Sequence, residues 1–122
     1  MPGSPDEPRF EVRFDAPAFA EDHEHATSAG RRAADRARRE LEGDGIAVSR
    51  LLRCQPEGRD GTRLAGCVKT RVPWPDGRWG LVLIPAVTHG PPTLRALAFG
   101  ERHPSAPWRP SVYQVAHRRL HG

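Results

Sequence analysis

The single lysine of this chain, Lys69, stands two residues before Arg71 in the stretch Leu64-Ala-Gly-Cys-Val-Lys-Thr-Arg-Val72. Residues two apart on an extended strand project from one face, so the two cations would point the same way. Another cation closes the apolar run Leu94-Arg-Ala-Leu-Ala-Phe-Gly-Glu-Arg102, and a tyrosine follows in Val112-Tyr-Gln-Val-Ala-His-Arg-Arg-Leu120. At the end of a last strand, Arg102 can converge on Lys69 and Arg71 across a sheet. Two or three cations beside Tyr113 suit cleavage of an RNA phosphodiester. One group helps to remove the 2′-hydroxyl proton, cations stabilise the crowded phosphate, and another group protonates the leaving 5′ oxygen. His117 lies one helical turn beyond Tyr113 and would share its face, and His103 follows Arg102 directly; histidine is the side chain that exchanges protons near neutral pH. The plainer readings are a solvated face of an antiparallel strand for Lys69 and Arg71, and a surface histidine beside Arg118 and Arg119 for His117.

Further residues would suit an RNA strand. Trp108 and Arg109 form an aromatic–cation pair in the Pro-rich stretch 103–110, Arg78 opens the middle strand, and Arg118 follows His117. Single-stranded bases are commonly splayed onto aromatic rings, with arginines on their phosphates. Other chemistries lack a pattern. His23-Glu-His25 would direct its side chains to different sides of a helix, and no third metal ligand is evident. Cys54 and Cys67 complete no zinc set and read as free thiols. No phosphate-binding glycine loop is present. No metal or cofactor is expected.

The elements that must position these residues can be read from periodicity. Residues 1–8 are polar and rich in proline and read as a disordered tail, followed by a single domain over 9–122. Phe10, Val12 and Phe14 alternate with charged residues to Asp15, as in a half-buried strand. Pro17 sits where a helix over Ala18 to Ala26 would open. Ser28 is placed to cap a second helix, Ala29 to Glu42, stopped by Gly43 and Gly45. Its apolar positions Ala33, Ala34, Ala37 and Leu41 form a thin face among five arginines, which is more simply a solvated surface than a nucleic-acid site. The segment from Ile46 to Arg53 reads as a strand or a short helix. Three strands follow, Arg63 to Val72, Arg78 to Ala86 and Thr93 to Gly100, and a terminal helix over Ser111 to Leu120. This order predicts an α+β domain, an N-terminal strand and helical hairpin packed on a mostly antiparallel sheet with a short C-terminal helix, in which the helices cover one face of the sheet.

Composition sets outer bounds. The 122 residues allow one modest core. The nineteen basic residues are eighteen arginines and Lys69, and the net charge is +4. A basic balance favours an acidic partner, either nucleic acid or protein, although a GC-rich genome also raises arginine. No apolar run is long enough for a membrane span, and the first residues lack the apolar core of a signal peptide, so the expected location is the cytoplasm.

The strand with basic residues alternating after a glycine, the Gly-x-Arg ending and the following Val-Tyr-x-x-Ala-x-x-Arg-Leu together resemble the RelE/ParE superfamily of bacterial type II toxin–antitoxin toxins. The resemblance covers roughly residues 10–15 and 63–120. It implies the RelE/ParE fold and a metal-independent endoribonuclease, an mRNA interferase acting at the ribosome and neutralised by an acidic cognate antitoxin. It also implies roles: Lys69 as base, Arg71 and Arg102 as charge stabilisers, Tyr113 as a stacking or proton-handling group, and His117 or His103 as acid. Where many members carry an arginine on the third strand, this chain has Gly80, with Arg78 two residues earlier. The stretch 103–110 is also longer than in relatives. The same scaffold without the catalytic cluster would correspond to a ParE-like inhibitor of DNA gyrase, or to a non-catalytic RNA- or protein-binding domain.

Overall fold

A computed structural model describes residues 7–58 and 60–122. The first strand, β1 (Arg9–Phe14), leads into a hairpin of two helices, α1 (Ala16–His25) and α2 (Ser28–Asp44). Two short strands, β2 (Ile46–Ala47) and β3 (Leu52–Arg53), flank a single 3-10 turn over Val48–Arg50. The long strands β4 (Val68–Val72), β5 (Trp79–Pro85) and β6 (Thr93–Glu101) form a meander, and α3 (Val112–His121) closes the chain. The six strands make one sheet in the order β2-β1-β6-β5-β4-β3. Only β1 and β6 run parallel, with Glu11 opposite Thr93 and Phe14 opposite Ala96. The architecture is therefore α+β with a mixed sheet.

Local chemistry explains the boundaries. Thr27, rather than Ser28, caps α2, its side chain accepting from the Gly30 amide at 3.1 Å. The helix runs through Gly43 and stops at Gly45, whose φ of 69° favours glycine and whose absent side chain leaves room for the Phe10 carbonyl. Ser111 caps α3 in a reciprocal capping box with Gln114. The strand expected from Arg63 starts only at Val68, because the described residues of 55–66 fold into a loop with Thr62 and Leu64 buried. Of the tail read over 1–8, residues 1–6 lie outside those described. Glu7 and Pro8 are tied to the 3-10 turn, the Glu7 carboxylate accepting from the Ser49 amide and the Pro8 carbonyl from the Val48 amide.

The sheet is covered on both faces, which corrects the expectation that the helices share one. On one face α1 and α2 bury Phe19, Ala34, Ala37 and Leu41 against Val12, Leu81, Leu83, Leu94 and Phe99. On the other, α3 and the 55–66 loop bury Val112, Ala116 and Leu64 against Val82, Ala98, Cys54 and Cys67. Alternation along β4 divides its side chains accordingly. Val68, Thr70 and Val72 face the hairpin side, whereas Lys69 and Arg71 face the α3 side.

Because β1 pairs with β6 only up to Ala96, the far half of that edge needs other partners. Asp22 of α1 and Arg119 of α3 supply them. The Asp22 carboxylate accepts from the Phe99 amide at 2.8 Å, and Arg119 donates to the Leu97 carbonyl at 2.9 Å and twice to Asp22. The Asp22 side chain is only 8% exposed. Its hydrogen bond and charge raise the Arg119 pKa, outweighing the opposing effect of burial. This clasp ties α3 to α1 around the sheet end.

Candidate functional site

The α3 face of the sheet carries a cleft of about 610 Å³ between β4, the 55–66 loop, the segment after β6 and the first turn of α3. Lys69, Arg102 and Tyr113 all line it. Each arrives by a different route. Lys69 comes from the middle of β4, opposite Val82 of β5. Tyr113 sits in the first turn of α3, next to the capping serine, and its ring lies under the Lys69 ammonium at 5.0 Å from the centroid. Such a cation–aromatic contact is worth ~0.5–2 kcal/mol depending on desolvation. It also holds the lysine over a flat surface on which a base could stack.

Arg102 leaves the end of β6 and lies across β5 at Gly80. A Cβ on Gly80 would come within 3.0 Å of Arg102 Cγ and 3.2 Å of Val112 Cγ1. Glycine at this position thus makes the bed for the arginine side chain. The guanidinium donates through Nη1 to the Gly77 carbonyl at 3.0 Å. Its Nε is buried and has no hydrogen-bond partner among the described residues. A buried donor left unpaired costs ~1–3 kcal/mol, which an anion reaching it would remove.

The remaining expected residues separate. Arg71 shares the Lys69 face and lies opposite Gly80, but its guanidinium is 3.8 Å from Asp76 and does not line the cleft. Arg78 is drawn to Glu101 at 3.3 Å and rests over the Trp79 ring, so it does not stand in for a side chain at position 80. Arg109 lines the cleft while ion-paired with the same Glu101 at 3.4 Å. Trp108 is 82% exposed on the outside of the Pro-rich segment. Arg118 lines a different groove, of about 360 Å³, between α1, the open edge of β6 and α3.

His117 does not enter the cleft. Its Nδ1 accepts from the Arg63 backbone amide at 2.9 Å, while His121 Nε2 meets the Arg63 carbonyl at 2.7 Å. Since a backbone N–H can only donate, Nδ1 is the acceptor in this contact. The two rings lie 4.7 Å apart and pin the loop that forms the cleft's outer wall. His103, in contrast, lines the cleft.

Cys54 and Cys67 are free and buried, Cys54 lining the cleft and its amide donating to the Cys67 carbonyl at 3.1 Å. Burial first, and then the neighbouring Cys67, push the Cys54 thiol up to about 11, with Lys69 opposing. Burial also raises the Cys67 thiol. Among the described residues no group of three His, Cys, Asp or Glu side chains is placed to hold a metal ion. His23 pairs with Asp35, and His25 bonds to the Glu21 carbonyl. No helix among the described residues is long and apolar enough to cross a membrane.

Comparison of the chain with protein-family models, curated proteins and solved structures gives no match. The chemistry open to the cleft therefore follows from its own residues. It offers two cations of different origin, a phenol ring, a histidine and the N-terminal end of α3, whose partial positive charge also favours an anion. Three contributions to the site carried no signal in the sequence. These are the bed at Gly80, the loop wall pinned by His117, and the Asp22–Arg119 clasp that holds α3. Each joins residues distant in the chain through contacts that no local periodicity encodes.

Proposed function

We propose that this protein is a RelE-like toxin of a type II toxin–antitoxin pair, with the RelE/ParE fold, and that it cleaves mRNA at the ribosome as a metal-independent endoribonuclease. The observation that carries this reading is the convergence of Lys69, Arg102 and Tyr113 on one cleft, with the Lys69 ammonium over the tyrosine ring. In the proposed reaction the amine form of Lys69 takes the 2′-hydroxyl proton, and the 2′ oxygen attacks phosphorus. The bond to the 5′ oxygen breaks, leaving a 2′,3′-cyclic phosphate and a 5′-hydroxyl that takes its proton from His103. Arg102 stabilises the crowded phosphate, and Tyr113 supports a neighbouring base. An acidic antitoxin would act by covering these cations.

The test is mapping of mRNA 5′ ends in bacteria after a short induced pulse, with Lys69→Ala and Arg102→Ala alongside. The expected result is new, codon-phased ends with the parent protein, reduced ~100-fold or more in each variant, as removal of a general base or a preorganised donor does. Growth arrest without new ends would replace this reading with a ParE-like inhibitor of DNA gyrase. That second reading is favoured by Gly80 in place of a third-strand arginine and by the engagement of Arg71 and Arg78 with carboxylates.

A further inference from the structure

The five arginines of α2 are not equivalent. Arg31 donates to the His23 and Glu24 carbonyls at the end of α1, and Arg38 pairs with Glu42 while covering the Phe19 ring. Arg32, Arg36 and Arg39 are exposed and take part in none of the ion pairs or hydrogen bonds among the described residues. At spacings of four and three they form one stripe, where like charges repel each other. The stripe is one wall of a groove of about 840 Å³ on the hairpin side of the sheet, the face opposite the Lys69–Tyr113 cleft. The facing wall is built from Val72, Pro73 and Trp74, with the Arg50 guanidinium 5.9 Å from the centroid of the Trp74 ring. The two carboxylates in the groove are already engaged, Asp35 by His23 and Glu40 by Arg50, so the uncompensated charge is positive.

The geometry points to this groove as the docking site for an acidic amphipathic helix of a partner protein. A helix rises about 1.5 Å per residue, so the Arg32–Arg39 stripe spans about 10 Å and matches carboxylates at the same spacing on a second helix. Its apolar side would meet Trp74 and Pro73, following helix-in-groove recognition. A nucleic-acid strand would also satisfy the arginines. However, Val72, Pro73 and Trp74 offer its phosphates no charge, and Arg50 beside them is already held by Glu40. The inference uses no residue of that cleft and stands whether or not the chain is a nuclease.

The test is fluorescence anisotropy on the full chain, with two labelled probes. One is a short helical peptide with glutamates at i, i+4 and i+7 and leucines on the adjoining face; the other is a single-stranded RNA oligonucleotide. The peptide should bind. Joint Arg32→Glu, Arg36→Glu and Arg39→Glu reversal should weaken it about tenfold or more, Trp74→Ala should do so about tenfold, and Lys69→Ala should leave it unchanged. Arg36→Glu alone, with its fold checked by circular dichroism, keeps the test valid if the triple variant unfolds. No peptide binding overturns the proposal. So does peptide binding that ignores the reversal, or RNA as the probe that depends on the stripe in the peptide's place.

Discussion

A Cβ on Gly80 would stand 3.0 Å from the Arg102 side chain and 3.2 Å from Val112, so any substitution there competes with both residues. Gly80→Ala should therefore cost ~1–3 kcal/mol through overpacking, measured by chemical denaturation. It should also move Arg102 off β5, so that the mRNA cleavage we propose falls together with stability. His117 makes the opposite kind of residue-level prediction. Its ring accepts a loop amide and lies outside the cleft, so His117→Leu should remove about 1 kcal/mol of hydrogen bonding and speed amide exchange at Arg63. The proposed nuclease activity should then fall only as far as the loop loosens. A collapse of activity with unchanged exchange at Arg63 would put His117 back into the proton-transfer chemistry.

Among the elements, α3 depends most on remote support. Its first turn presents Tyr113 to the cleft, and its last turns are tied by Arg119 to Asp22 and to the open edge of β6. Asp22→Ala would leave the part-buried Arg119 guanidinium with only the exposed Glu21 carboxylate at 3.4 Å and the Leu97 carbonyl, and the Phe99 amide without its acceptor. A loss of ~3 kcal/mol is expected, read as a lower unfolding midpoint. Protection of α3 amides should fall before that of β5, because the clasp joins α3 to α1 whereas β5 is paired on both sides. Equal loss of protection in both elements would mean that the clasp supports the whole domain rather than the placement of one helix. The 55–66 loop depends on α3 in turn, through Arg63 and the two histidines.

At the scale of the whole molecule, the core on the α3 side links stability to pH. Cys54 holds its proton to about 11 in the folded chain, against an ordinary value of 9.0. Between these values the unfolded chain releases the proton first, so the folded state binds more protons. The stability contributed by this thiol is therefore full below about pH 9 and is lost as pH rises through about 11. Unfolding midpoints measured across this range should decline, and Cys54→Ala should flatten the decline. A slope unchanged by Cys54→Ala would assign it to other groups. Thiol reagents at neutral pH should modify the folded protein slowly, since the thiolate is scarce and both sulfur-bearing side chains are buried.

The sequence by itself determined most of the elements and their order. Alternation of Phe10, Val12 and Phe14, the thin face of Ala33, Ala34, Ala37 and Leu41 on α2, the apolar run into Gly100 and the terminal helix from Ser111 are local signals, and local signals survive without tertiary context. It also determined that Lys69 and Arg71 share a face, since strand geometry leaves no alternative. Tertiary structure decided what long-range contact decides. It set α3 on the face opposite the hairpin, although an amphipathic helix carries no mark of which side of a sheet it will cover. It brought Tyr113 beneath Lys69 and turned Arg71, Arg78 and Arg109 toward carboxylates, because an exposed guanidinium takes whichever acid the fold brings near. It turned His117 to a loop amide that lies fifty-four positions away in the chain. And it divided five apparently equal arginines on one helix into two that hold the hairpin together and three that face an open groove.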